Sequence, residues 1–157
     1  MLTSAAAQPT CQREIFEVDL TGPWKGQLLK AGFNSQQPSV WLLEGLLMYL
    51  SKEHITRLLD QITRLALPGS WLGFDIINSA MLTSPWTQPI VESITGVGTP
   101  WPGTIDDPEA ELSAHGWQAT ITQPGEEEAN YGRWPYPLIP RTMPDMPHHW
   151  LVTAYKS

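Results

Sequence analysis

Cysteine, charge and long apolar runs are all scarce in this chain of 157 residues. The one cysteine, Cys11, excludes an intramolecular disulfide and any cysteine-based metal cluster. Arg13 is its only basic neighbour in sequence, so nothing local marks the thiol as catalytic. Lys and Arg number 9 against 16 Asp and Glu, a formal net charge of -7. Nucleic acid and anionic membranes both call for clustered Lys and Arg, so neither is expected as a partner. The most apolar run, residues 40–50, is interrupted by Glu44 and is too short to span a bilayer. The first residues carry neither the basic start nor the apolar stretch of a signal peptide, and a cytoplasmic protein is expected.

What remains is a domain-sized chain. It is long enough to bury ~70% of its unfolded surface. Its hydrophobic content of 41% separates it from disordered tails and fibrous repeats. The 8 Trp and 15 Pro point to an apolar or proline-stiffened surface. Both charge and proline are uneven. Residues 1–80 carry net -1, whereas residues 81–157 carry net -6 and eleven of the prolines. The first part reads as compact α/β and the second as loop-rich with a few strands. No internal repeat is present.

After a leader over residues 1–14, residues 15–19 read as a short β-branched strand ending on Asp19. Residues 24–31 read as a short helix, stopped at Gly32. Residues 40–44 form an apolar run of the kind found in parallel strands buried on both faces. Ser51 is a good N-cap for a helix whose Ile55, Leu58, Leu59, Ile62 and Leu65 recur on one face. Pro68 and Gly69 end it, and residues 71–77 follow as a strand. Five prolines between 85 and 108 forbid a long uninterrupted helix. Asp107 and Pro108 open a short helix over 107–115. Residues 117–122 alternate as a half-exposed strand, residues 125–147 form a long loop, and residues 150–155 close the chain as a strand. Alternating β and α segments imply parallel strands with helices on the faces, and the last two strands an antiparallel pair.

Open α/β sheets bind ligands beyond the carboxyl ends of their strands. Asp19, Glu44 and Asp75 stand at such ends. Asp19 also suits a local turn with Thr21 or Gly22. Asp75 suits a mid-strand position or a cap for Asn78. Glu44 is flanked by Leu42, Leu43, Leu46 and Leu47, where a carboxylate needs a partner. His148 and His149 with Asp145 invite a metal reading, but neighbouring strand residues face opposite ways, and a pair near solvent is the expectation. Tyr131, Trp134, Tyr136 and Trp150 suit either an acceptor pocket or a packed lid. Asp106, Asp107, Glu109 and Glu111 read as a solvated helix start, and Glu126, Glu127 and Glu128 as a charged turn.

The segment Trp-Leu-Leu-Glu-Gly-Leu-Leu-Met-Tyr-Leu at residues 41–50 closely resembles the signature of the leucine carboxyl methyltransferase-like family of S-adenosylmethionine (SAM)-dependent O-methyltransferases. Residues 15–20 with Trp24 and Ala31, Gly32 and Phe33 resemble the family's third strand and the helix after it. Tyr131, Gly132 and Arg133, with residues 150–154, resemble its C-terminal stretch.

The resemblance implies a partial class I methyltransferase (Rossmann-like) sheet, strands 3 to 7 of the order 3-2-1-4-5-7-6, with strand 7 antiparallel. Residues 15–157 would form one truncated domain. SAM would be the cofactor, with Asp19 and Leu20 at its adenine end and Glu44, Gly45 and Tyr49 near its methionine part. Tyr131 and Arg133 would lie on the acceptor side, and the acceptor would be a small-molecule or peptide carboxylate or hydroxyl. The family's glycine-rich loop and the acidic residue ending strand 2 have no counterpart here, and Gly96-Val97-Gly98 does not follow a strand and open a helix. The resemblance thus implies a C-terminal portion. Its open strand-4 edge would be met by self-association or by a complementing N-terminal polypeptide. The alternative is a non-catalytic interaction domain derived from such an enzyme.

Overall fold

The computed structural model describes residues 10–157, so residues 1–9 of the expected leader lie outside the described residues. The chain divides into two compact units, Met1–Asn34 and Ser35–Ser157.

In the first unit, helix α1 spans Lys25–Lys30, close to the expected bounds. Lys30 in its last turn meets the negative end of the helix dipole. The strand expected at residues 15–19 is corrected. This stretch pairs with no strand, and Ile15 is 76% exposed. A strand persists through its ladder of hydrogen bonds, and β-branched propensity alone does not supply one.

The second unit holds β1 (Val40–Leu43), a 3-10 turn (Leu47–Tyr49), α2 (Lys52–Leu65), β2 (Trp71–Ile77), α3 (Ala80–Thr83) and α4 (Gln88–Gly96). It continues with α5 (Pro108–Ala114), β3 (Trp117–Thr122), α6 (Glu127–Asn130) and β4 (His149–Lys156). The sheet runs β1-β2-β4-β3, with β1 and β2 parallel and β4 antiparallel to both neighbours. This is the 4-5-7-6 portion of the order expected from the family resemblance.

Local signals explain most of these elements. Ser51 Oγ accepts from the His54 amide, and Asp107 accepts from the Ala110 amide, as N-caps do. The prolines of residues 85–108 still leave room for the nine-residue α4. Pro89 sits in its first turn, where the missing N–H is not needed.

One face of the sheet carries the core. Leu72, Phe74 and Ile76 of β2 alternate onto it with Val152 and Ala154 of β4, all buried. Helix α2 lies on this face. Thr63 Oγ1 accepts from Trp117 Nε1 at 2.8 Å, and the Lys156 ammonium donates to the Thr63 carbonyl and, at 3.0 Å, to that of Ala66. A cation thus satisfies carbonyls at the C-terminal end of α2. The buried stripe of α2, Ile55 to Leu65, contributes about 1.5–3 kcal/mol for each large side chain removed from water.

The other face is open over β1 and the start of β2. Val40 is 79% and Leu42 70% exposed, and Trp71 meets Tyr155 at 5.2 Å between ring centroids with both rings reachable by solvent. The expectation that residues 40–44 are buried on both faces is therefore corrected: β1 is the edge strand of this sheet.

Candidate functional site

The carboxyl ends of β1, β2 and β3 and the start of β4 lie at one end of the sheet, because β4 runs against its neighbours. Two cavities open there, and one pair of side chains joins them.

The first cavity, about 360 Å³, lies over the open face and is walled by Leu42, Glu44, Gly73, Asp75, Tyr131 and Thr153 among others. Glu44 follows β1 directly. Gly45 comes next with φ +60, a left-handed conformation that a side chain would strain. Its N–H donates to Asp75 Oδ1 at 2.6 Å. Leu47 and Met48 in the following turn are buried and anchor the loop to the core. Asp75 was expected mid-strand or capping Asn78. It is mid-strand, and it clamps the loop after the neighbouring strand. Its second oxygen, Oδ2, lies 3.0 Å from His149 Nε2.

His149 lines the second cavity, about 410 Å³, whose walls include Trp86, Trp134, Tyr136, Leu138 and Met146. His148 lines it too. The expectation of a histidine pair near solvent is corrected for His148, which is 5% exposed. Its ring stacks on Trp150 at 4.6 Å and 16°, and its Nδ1 lies 2.9 Å from Gln123 Oε1. Burial, and secondarily the Arg141 charge, hold its pKa below the usual histidine value. No group of three or more metal-ligating side chains is assembled among the described residues.

The wall of this second cavity is built by the long loop, which two contacts secure. Arg141 pairs with Glu126 through two guanidinium nitrogens and also reaches the Ile121 carbonyl at the end of β3. That pairing holds the Glu126 carboxyl below its usual pKa and raises that of Arg141. Gly125, at φ +98, lets the Trp134 ring seat against it: a Cβ there would meet Trp134 Cδ1 at 2.5 Å.

The residues expected at the site are placed as follows. Glu44 and Tyr131 share the first cavity, and Gly45 is fixed at its rim through Asp75. Tyr49 lines neither cavity and meets Trp101 edge-on at 6.4 Å. Arg133 is exposed on the loop and lines neither. Asp19 and Leu20 belong to the first unit. There Asp19 Oδ1 accepts from the amide and hydroxyl of Thr21 at 2.8 and 2.7 Å, the local turn that its sequence allows. Trp134 and Tyr136 join the second cavity, while Trp150 stands behind it against His148. Sequence reasoning did not single out Asp75 as a clamp or Gln123 as a partner of His148.

The comparisons agree with this architecture. The family model described as leucine carboxyl methyltransferase matches residues 1–63. Proteins of Mycolicibacterium smegmatis and Mycobacterium bovis, each named "Putative S-adenosyl-L-methionine-dependent methyltransferase", are 33% and 34% identical over 138 and 153 residues. The matches cover 83% and 92% of this chain but 46% and 47% of those proteins, so the chain spans about half the length of the curated relatives it matches. Among solved structures, a DUF574 family protein of Streptomyces avermitilis aligns with a TM-score of 0.59 at 15% identity, over 90% of this chain and 54% of that one. An O-methyltransferase family protein of Burkholderia thailandensis aligns at 0.54 and 12% identity, over 92% of this chain and 36% of that one. At such identities these two likenesses concern the fold, and they bear out the expected α/β fold of a methyltransferase-like sheet, without the strand expected at residues 15–19. The resemblance carried by residues 41–50 is thereby borne out as a relationship to the leucine carboxyl methyltransferase family, whose model covers that segment.

Proposed function

We propose that this chain is a C-terminal portion of a SAM-dependent O-methyltransferase. The observation that carries the reading is the loop after β1. Glu44 and Gly45, inside the family signature, are held at the carboxyl end of a parallel strand by Asp75, and Glu44 and Asp75 wall one cavity. This donor set fits the cofactor chemically, because two carboxylates suit the cationic amino and sulfonium groups of its methionine part. When bound, SAM would supply an activated methyl group for transfer to an acceptor oxygen. The chain's own residues position and shield the acceptor, which is most of what such a transfer needs. Asp19 and Leu20 complete the proposal at the adenine end, Tyr49 near the methionine part, and Tyr131 and Arg133 on the acceptor side. A cytoplasmic setting suits this reading, and no described helix is long and apolar enough to cross a membrane.

A second reading rests on the exposed Val40, Leu42 and Trp71 and the edge position of β1. Such an edge and apolar face favour a pairing partner. We propose a complementing polypeptide with the remaining strands. Two copies of a chain of net charge -7 would repel. A non-catalytic interaction module is the version of this reading without methyl transfer.

One calorimetric experiment separates them. S-adenosylhomocysteine is titrated into the full chain, alone and mixed with the N-terminal half of the Mycolicibacterium smegmatis relative. Binding in either case supports the enzyme reading. Complex formation without binding rejects it in favour of the interaction module.

A further inference from the structure

Asp75 and His149 have the arrangement of an oriented base. Leu151 stands opposite Asp75 in the sheet register and His149 lies two residues before it, so the two side chains are diagonal neighbours on one face. Asp75 is fixed by its other oxygen: Oδ1 accepts the Gly45 amide at 2.6 Å, while Oδ2 lies 3.0 Å from His149 Nε2. Asp75 walls the first cavity and His149 the second, so the pair links the two.

The protonation of the ring follows from that contact. An ionised carboxylate only accepts hydrogen bonds, so Nε2 carries the proton of the neutral ring and Nδ1 keeps a lone pair. Nδ1 has no hydrogen-bond partner among the described residues and is not buried, in a side chain that is 38% exposed. The neighbouring His148 offers no such nitrogen: its Nδ1 faces Gln123 and its Nε2 is buried. One ring nitrogen held by a fixed carboxylate and the other free to take a proton is the geometry that general-base catalysis uses. Histidine also changes charge near neutral pH, which suits it to the role.

The cavity that His149 lines indicates what would meet such a base. Its walls are almost wholly apolar, built from Trp86, Trp134, Tyr136, Leu138 and Met146. Its volume of about 410 Å³ falls within the usual range for small-molecule sites. Trp134 and Tyr136 stand edge-to-face at 5.4 Å and 77°, an aromatic wall that suits another ring. No Asp, Glu, Lys or Arg lines the cavity, so a ligand enters it most easily uncharged. A base serves only an acceptor that then loses a proton. A phenol meets all three conditions: it is aromatic, it enters neutral, and its O–H is acidic enough for an imidazole to take the proton.

We propose that His149, oriented by Asp75, is the general base for a phenolic acceptor seated in the second cavity. The acceptor O–H bond breaks with its electron pair left on oxygen, the Nδ1 lone pair takes the proton, and Asp75 stabilises the imidazolium so formed. The oxygen then holds the pair with which it accepts a methyl group. For the transfer itself the inference rests on the enzyme reading above. The proton step is measured without cofactor, so the two readings fail separately.

The test uses 4-nitrophenol, whose anion absorbs at longer wavelength than the neutral form, at a pH below its own pKa. Calorimetric titration of the full chain measures binding, and absorbance at saturation reads ionisation. The ratio of phenolate to phenol should rise about tenfold on binding, the one-unit shift that a neighbouring charge commonly produces. His149→Gln should still bind the probe, with the ratio back at its value in water. In Asp75→Asn the amide oxygen keeps the Gly45 contact and the amide nitrogen donates to His149 Nε2, so the ring proton should move to Nδ1 and the rise should be lost. Nitrogen-15 NMR of the histidine rings in the unmutated protein reads the tautomer without depending on a variant that folds: Nε2 should carry the proton and Nδ1 none. A ring proton on Nδ1, ionisation no greater than in water, or a rise that survives His149→Gln overturns the proposal. Absence of 4-nitrophenol binding overturns it as well.

Discussion

His149 Nε2 lies 3.0 Å from Asp75 Oδ2, while Asp75 Oδ1 accepts the Gly45 amide at 2.6 Å. One carboxylate therefore ties the loop after β1 to the first residue of β4, and it stands between the two cavities. Asp75→Ala removes both contacts. Hydrogen bonds to charged groups contribute about 1.5–3 kcal/mol when protected from water. This one is near solvent, so the lower end applies, and amide exchange at Gly45 should quicken about tenfold. Hydrogen-exchange NMR checks this. Asp75→Asn, which retains one acceptor oxygen, should restore most of the protection at Gly45. Unchanged exchange in Asp75→Ala would reject the clamp.

The same residue shows how far the sequence could be read. The cap at Ser51, the Asp107–Pro108 helix start and the strands at residues 71–77 and 117–122 are written in neighbouring residues, and all form near their expected bounds. Asp75 finds its partners 30 and 74 positions away, and His148 finds Gln123 at a distance of 25. No local pattern encodes such pairings. The apolar run at residues 40–44 fixed a strand, but apolar content cannot say which faces are covered, and Val40 and Leu42 are exposed. Residues 15–19 have strand propensity and no ladder to join. Family resemblance supplied the 4-5-7-6 order, which composition and periodicity did not.

His148 makes stability depend on pH in a defined window. Its folded-state pKa lies below the ordinary value of 6.5, chiefly through burial. Between the two values the unfolded chain binds a proton that the folded chain does not. Stability is therefore full above the ordinary histidine pKa and declines as pH falls from there toward the lowered value. Thermal melts from about pH 8 to about pH 5 should show Tm falling over that interval. His148→Phe should flatten this part of the profile, and a slope that survives the substitution would assign it to another group.

The Arg141–Glu126 pair acts at lower pH. The Arg141 guanidinium holds the Glu126 carboxyl below its ordinary 4.5, so its contribution is present above that value and is lost as pH falls through the lowered one. Arg141 is partly exposed, so the effect on global stability is small, about 1 kcal/mol or less. The local effect is larger, because the same side chain also holds the Ile121 carbonyl. Arg141→Ala should leave Tm nearly unchanged while making residues 125–147 markedly more sensitive to limited proteolysis. Equal cleavage rates in the two proteins would show that the loop is held by other contacts.

Gly125 provides the sharpest steric test of the second cavity. A methyl group there would stand 2.5 Å from Trp134 Cδ1 and 2.7 Å from Nε1, and the backbone, at φ +98, disfavours any side chain. The indole must swing away or the turn must deform. Either change costs about 1–3 kcal/mol, the usual range for overpacking, and both remove Trp134 from the wall. Gly125→Ala should therefore lower Tm by several degrees in a thermal melt. Trp134→Ala should change Tm little by comparison, because Trp134 is 40% exposed and carries little of the core. An unchanged Tm in Gly125→Ala would show that the indole does not pack against Gly125 in solution.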